Sequence, residues 1–175
     1  MHLDTAKQAA DRLATAGCAM TTPSEEFAEK LERLIEATRS AGPTVVMRGG
    51  DGAPAWGAQE YSLWQLGNAL EALLKQRKRN DPAPVVALVD RVCRDVSLGK
   101  GRQPFVWILG RWGGEAYRET LVALLREDAL AGHAIRGLRL GKISGAASAV
   151  RDALARTQMG WIRREAKKYL DRFSE

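Results

Sequence analysis

The stretch that decides the fold reads Phe105-Val106-Trp107-Ile108-Leu109-Gly110-Arg111-Trp112-Gly113, and it recurs 31 residues later as Arg136-Gly137-Leu138-Arg139-Leu140-Gly141-Lys142-Ile143-Ser144. Both copies carry Leu-Gly followed by a basic residue, an apolar residue and a small turn residue. An Ala-containing amphipathic pattern follows each copy, and a third half-unit runs over 162–170. Short helix pairs that repeat at about 30 residues are the sequence mark of an α-solenoid, so we expect one here.

The glycine of each copy has a predicted local role. Gly110 and Gly141 both come at the end of an apolar helical stretch. Glycine adopts the left-handed conformation that ends many helices without steric cost. We therefore expect each glycine to turn the chain out of its helix, and the small alanines that follow to let the paired helices approach closely.

The rest of the chain predicts further helices, because apolar residues recur at three- and four-residue steps between Gly, Pro and capping residues. The predicted helices cover 3–16, 22–40, 61–79, 82 onward, 102–111, 114–126, 130–140, 144–156 and 159–172. Residues 42–58 hold five Gly and two Pro and form one long predicted loop. No stretch after residue 60 alternates with period two, so the fold class is predicted to be all-α.

The repeated pattern resembles HEAT-like repeats, particularly the short bacterial type shared with phycobilisome lyase-like proteins. The resemblance covers 102–173 and extends from 61, where Leu66-Gly67 echoes the motif, but it does not cover 1–58. The usual Asp-x-x-Val-Arg opening is reduced here to Ala134-Ile135-Arg136 and Ile162-Arg163-Arg164. The resemblance implies a short right-handed α-solenoid of antiparallel helix pairs over 59–175. N-terminal helices and the loop, over 1–58, precede the solenoid, and the whole chain 1–175 forms a single domain. An irregular helical bundle is the alternative.

Charge is unevenly distributed along the chain. Residues 1–60 hold 6 basic and 9 acidic side chains, whereas residues 61–175 hold 21 basic and 12 acidic ones. A basic region of this kind attracts an acidic protein, a phosphate backbone or an anionic membrane, and the sign alone does not choose among them. The presence of an acidic region and a basic region in one chain favours a protein partner over nucleic acid.

Compartment is predicted from what the chain lacks. The N-terminus has no run of 7–15 apolar residues and therefore no ordinary secretory signal. The longest strongly apolar stretch, 105–109, is far shorter than the roughly 20 residues that a membrane span needs. Cys18 and Cys93 lie 75 residues apart and are too few for a disulfide framework. We expect a cytoplasmic protein with no membrane partner.

Catalytic and metal-binding constellations are not apparent in the sequence. His133 is the only internal histidine, and its position at a helix start favours a capping or solvated role over a general base. Lys100 and Lys142 do not fit a phosphate-loop pattern, and the cysteines and histidines are too isolated for a metal site. The sequence 49–52 is interpreted as a surface loop, with a ligand cradle as the alternative. We expect no enzyme activity, no metal and no cofactor.

Basic residues in the repeats are the remaining candidates for a binding site. Arg136 and Arg139 are three residues apart and share a helix face. The candidate partner-binding residues, which stacking of repeats would bring to one edge, are Arg102, Arg111, Trp112, Arg136, Arg139, Lys142, Arg163 and Arg164. The alternatives are that the arginines bridge neighbouring repeats through Glu or Asp, and that Trp112 packs in a turn instead of forming an interface hot spot.

Function follows from the architecture rather than from a motif. Short solenoids expose a curved surface and bind partners, so we expect a non-catalytic protein-binding module. The resemblance implies, more specifically, a bacterial immunity protein or antitoxin that docks on a toxin and occludes it. The alternative is a HEAT-like protein that binds nucleic acid through a basic face. A bilin lyase shares the repeat but would need a pocket that the sequence does not indicate.

Overall fold

The computed structural model of the chain describes residues 24–40, 57–76 and 82–173. Within these ranges every regular element is helical and there is no strand, so the predicted all-α fold class is confirmed for this part of the chain. The predicted helix over 3–16, Cys18 and nearly all of the 42–58 loop lie outside the described residues.

The described α-helices agree with the predicted ones to within a few residues, except after Ile108. Their bounds are α1 (Ser24–Ser40), α2 (Ala58–Gln76), α3 (Ala83–Arg94), α4 (Gln103–Ile108), α5 (Arg118–Leu124), α6 (Ala131–Leu140), α7 (Ala147–Arg156) and α8 (Gly160–Phe173). A 3₁₀ segment, Val96–Arg102, precedes α4. After α4 the helix widens into a π-helical turn, Leu109–Gly113, and then tightens into a 3₁₀ turn, Gly114–Tyr117.

The described residues form two compact units. The first contains the described residues up to Leu88 together with Asp95–Pro104, and the second contains Val89–Arg94 together with residues from Phe105 onward. The predicted single domain and the predicted solenoid of antiparallel pairs both stay predictions.

In the first unit, α2 packs against the 3₁₀ segment Val96–Arg102. The leucine stripe of α2 is buried against it, as the helical spacing predicts, with Leu63 and Leu66 fully inaccessible and Leu98 of the 3₁₀ segment only 2% exposed. The Glu60 carboxylate accepts hydrogen bonds from the backbone N–H of Gly57 at 3.1 Å and of Lys100 at 2.8 Å. This one carboxylate therefore caps the start of α2 and ties the 3₁₀ segment to it.

Helix α1 packs on α2 in the same unit. Its inner stripe includes Leu31 and Ile35, both buried. Arg39 near its end pairs with Asp95 at 2.5 Å. Asp95 also accepts hydrogen bonds from the Ser97 hydroxyl and backbone N–H, which, with the charge of Arg39, hold the pKa of this carboxyl below its usual value. The pair links α1 to the start of the 3₁₀ segment.

The core of the second unit surrounds α6, which packs against α5, α8 and the π-helical turn. Ile108, Leu121, Ile135 and Leu138 are fully buried there. The i, i+3 spacing of Ile135 and Leu138 places both on the inner face of α6. The spacing of apolar residues therefore accounts both for the helices of this unit and for which of their residues are buried in its core.

Tyr169 of α8 is fully buried and ties this helix to another segment of the second unit. Its hydroxyl donates to the Ile143 carbonyl at 2.8 Å and accepts from the Ala146 N–H at 3.3 Å. Both partners lie in the connection between α6 and α7. Burial raises the pKa of the phenol, which keeps the hydroxyl protonated as the donor that this arrangement needs.

Candidate functional site

Three glycines bring two parts of the second unit into backbone contact. A methyl group added at Gly110 would lie 2.5 Å from the Gly137 Cα and would overlap the Gly137 carbonyl, and one added at Gly141 would overlap the Gly110 carbonyl. Gly110 and Gly141 have no left-handed backbone. The prediction that these glycines turn the chain is therefore wrong: they are glycines because backbone atoms fill the space that a side chain would need.

The left-handed residue at the end of α6 is instead Lys142, with φ 56°. The Ile143 N–H donates to the Leu138 carbonyl at 2.9 Å and the Lys142 N–H to the Arg139 carbonyl at 3.2 Å. These two bonds form a Schellman motif, whose left-handed position is usually occupied by glycine. A lysine in that position bears a conformational cost, and Lys142 is exposed.

The glycine contact lies next in the chain to two of the predicted binding residues. Arg111 follows Gly110 and Lys142 follows Gly141, and both cations are exposed. The Arg111 guanidinium carbon lies 5.0 Å from the ring centroid of half-buried Trp112. We call Arg111, Trp112 and Lys142 the crossing patch; it combines two cations with an aromatic surface.

Arg136 belongs to a different environment, an aromatic cluster at the start of α6. Its guanidinium carbon lies 4.9 Å from the ring centroid of Trp107, which is buried. The His133 ring lies 5.3 Å from the Trp107 ring and 5.0 Å from the Trp161 ring. A half-buried Arg136 stacked in this way stabilises the second unit through a cation–π contact.

His133 differs from the prediction of a capping or solvated residue. It lies in the first turn of α6 between two tryptophans, and its Nδ1 atom is buried without a hydrogen-bond partner in the described part of the chain. Burial and, to a smaller extent, the charge of Arg136 lower its pKa to about 4. The imidazole is therefore neutral at physiological pH and serves as a packed aromatic ring.

Two further candidates serve as internal links instead of surface groups. Arg139 pairs with Glu165 of α8 at 2.9 Å, which supports the alternative that arginines bridge neighbouring elements. Burial alone would raise the pKa of Glu165, but hydrogen bonds from Lys168 and Arg139 and their charges hold it below its usual value. Arg102, in the first unit, is only 4% exposed and donates to the Gly99 carbonyl at 2.9 Å, so it lies inside the protein and not on a surface ridge.

Arg163 and Arg164 lie on the solvent side of α8, together with basic residues that the sequence interpretation missed. The exposed side chains of this helix, called here the α8 basic face, are Arg163, Arg164, Lys167, Lys168, Asp171 and Arg172. The signal was present in the sequence, since steps of one and four residues place all of them opposite the apolar residues Ile162, Ala166 and Tyr169. The eight candidates thus divide among the crossing patch, the α8 basic face and internal contacts.

Residues suited to metal binding do not cluster within 24–40, 57–76 and 82–173: no three or more His, Cys, Asp or Glu lie together there in a way that could hold an ion. Cys93 is buried and forms no disulfide within the described residues. Among the described helices, none is both long enough and apolar enough to cross a membrane.

Comparisons of the chain with protein-family models, with curated proteins and with solved structures found no match. The resemblance to HEAT-like repeats accordingly stays a prediction.

Proposed function

We propose that this protein is a non-catalytic protein-binding module, most specifically one of the bacterial immunity or antitoxin type that docks on a toxin and occludes it. The observation that carries the proposal is the crossing patch. Arg111 and Trp112 directly follow Gly110, Lys142 directly follows Gly141, and the two glycines are in backbone contact.

The composition of the crossing patch supports a protein partner. Tryptophan and arginine are the residues that contribute most to protein–protein binding energy when they are desolvated at the centre of an interface. Stacking on Trp112 orients the Arg111 guanidinium before binding, which reduces the side-chain entropy lost on association. The two cations match a carboxylate on the partner, and Trp112 supplies the apolar contact beside it.

The backbone around the patch supports the same proposal. Arg111 and Trp112 lie in a π-helical turn, a feature that recurs at functional sites. Lys142 retains a left-handed conformation that glycine would adopt without cost. Two local departures from the most stable backbone therefore occur in the same small patch.

The test begins with the tagged full chain as bait in lysate of its host, with stoichiometric partners identified by mass spectrometry. The double variant Arg111→Ala/Trp112→Ala should raise the Kd for the captured partner by at least 30-fold, or about 2 kcal/mol. Arg126→Ala is the matched control, because Arg126 is an exposed arginine of the same unit outside the patch. The control should bind as wild type does.

The occlusion part of the proposal needs a growth assay. The captured partner expressed alone should arrest growth, and co-expression of the wild-type chain should restore it. Absence of any stoichiometric partner, or equal binding by the double variant and wild type at equal stability, would refute the proposal. If the partner binds at the patch but is harmless when it is expressed alone, the protein-binding part of the proposal stands and the immunity part is refuted.

A further inference from the structure

The α8 basic face presents more positive charge than the described residues around it neutralise. Five of its six exposed residues are basic, and Asp171 is its one exposed carboxylate. Glu165, the other carboxylate of the helix, is half-buried and already accepts hydrogen bonds from Arg139 and from Lys168. Arg164 and Lys167 form no ion pair with any described residue.

The apolar side of α8 is already occupied. Ile162, Ala166 and Tyr169 are buried, and the helix packs against α6 and α7. An amphipathic helix that binds a membrane surface inserts its apolar face among the lipids, and α8 has no such face free. Burial of this side therefore argues against a lipid surface as the occupant.

The exposed side of α8 also lacks what a protein interface needs at its centre. All six of its exposed side chains are charged, its aromatic side chains are buried or half-buried, and the exposed Met159 lies before the helix begins. Protein interfaces are depleted of charge at the core and depend on apolar or aromatic anchors. Phosphate contacts in nucleic acids need only cations, and they require no anchor.

We propose that the α8 basic face binds the phosphate backbone of duplex nucleic acid without reading its sequence. The face runs from Arg163 to Arg172, about 13 Å at 1.5 Å per residue. Duplex DNA carries one charge per about 1.7 Å of its axis, so several phosphates lie within that length. This function is separate from the proposed protein-binding function, which rests on the crossing patch.

The experiment measures affinity of the full chain for a fluorescent 20-base-pair DNA duplex between 50 and 200 mM NaCl. We expect a Kd below about 0.1 mM at 50 mM salt and a slope of log K against log[salt] of about −3 to −4, as for three or four phosphate contacts. Arg164→Gln/Lys167→Gln should make the slope shallower by about 2. Scrambling the duplex sequence should leave the Kd unchanged.

The matched control is Arg126→Gln/Arg151→Gln, which removes the same charge from exposed positions of the same unit outside α8. The control should keep the wild-type slope. An equal change of slope in both double variants would overturn the proposal, because binding would then follow net charge alone. A wild-type Kd above about 0.1 mM at 50 mM salt would also overturn it.

Two competing probes separate the proposal from other anionic partners. The probes are poly-L-glutamate and vesicles that contain anionic lipid. If either binds as tightly as the duplex and loses the same affinity in Arg164→Gln/Lys167→Gln, the proposal is overturned. The face would then be assigned to an acidic protein or to a membrane, respectively. Arg111→Ala/Trp112→Ala should bind the duplex as wild type does. Loss of DNA binding in that variant would place the site at the crossing patch, so the two proposals succeed or fail separately.

Discussion

Substitution of Gly110 by alanine tests the backbone contact on which the second unit and the crossing patch depend. The added methyl would lie 2.5 Å from the Gly137 Cα, and the obstructing atoms are backbone atoms that cannot rotate away. Relief requires the two segments to separate by about 1 Å, and the fully buried Ile108 and Leu138 nearby would lose packing. Overpacking costs about 1–3 kcal/mol where side chains adjust, so we expect a loss of about 3 kcal/mol here.

Urea unfolding followed by circular dichroism measures this loss. At an m-value of about 2 kcal/mol/M, the midpoint should fall by about 1.5 M. Gly160→Ala is the matched control, because its added methyl would lie 3.6 Å from an Arg164 guanidinium nitrogen, an ordinary contact, at the start of α8. The control should be neutral or more stable by up to about 1 kcal/mol. If the free energies of unfolding of Gly110→Ala and Gly160→Ala differ by less than 1 kcal/mol, the close backbone approach at Gly110 is refuted.

Three further measurements test other parts of the second unit. Tyr169→Phe leaves the Ile143 carbonyl and the Ala146 N–H without their buried partner and should cost about 1–3 kcal/mol in urea unfolding, and a change below 0.5 kcal/mol would contradict the assigned bonds. Lys142→Gly relieves a left-handed residue and should raise stability by about 1 kcal/mol, whereas Lys142→Ala should give no such gain. The pKa of His133 is lowered from 6.5 to about 4, so the unfolded chain takes up the proton first as the pH falls, and stability present above pH 6.5 is lost towards pH 4. The loss should reach about 2 kcal/mol at pH 5 and disappear in His133→Phe, and a pH profile shared by both proteins would exclude His133 as its source.

The helices could be predicted from the sequence because their apolar spacing is a local property. The buried leucines of α2 and the inner residues of α6 recur at three- and four-residue steps, and that period alone specifies which side is buried. The break after Ile108 into a π-helical turn was not predictable in this way, because residues 109–113 are as compatible with an α-helix as with the wider turn.

The role of the glycines could not be predicted because it depends on a distant segment. A glycine after an apolar run is most often a left-handed helix end, and this statistical expectation was applied to Gly110 and Gly141. The structure places backbone from elsewhere in the chain against both, and it gives the left-handed position to Lys142. Some glycines are required because the backbone is left-handed, and others because a neighbouring segment leaves no room for a Cβ atom. Only the tertiary contact distinguishes the two.

Arginine positions were predictable, but their surroundings were not. Arg136 and Arg163 are equivalent in the repeat pattern, yet Arg136 stacks on buried Trp107 whereas Arg163 is exposed on α8. Spacing assigns a residue to a helix face, and the partner of that face is decided by which element packs on it. The same limit explains His133, whose two tryptophan neighbours lie 26 and 28 residues away in the sequence.

The repeated Leu-Gly-basic motif places the backbone contact next to the patch that we propose for binding. The glycines hold two backbones together, and the residue after each glycine, Arg111 or Lys142, is exposed. The backbone at these cations is therefore held by the glycine contact. Truncating either cation should leave the backbone in place, so a loss of binding at unchanged stability would identify the patch itself. Variants of Gly110, by contrast, change the stability and the patch together and cannot distinguish the two.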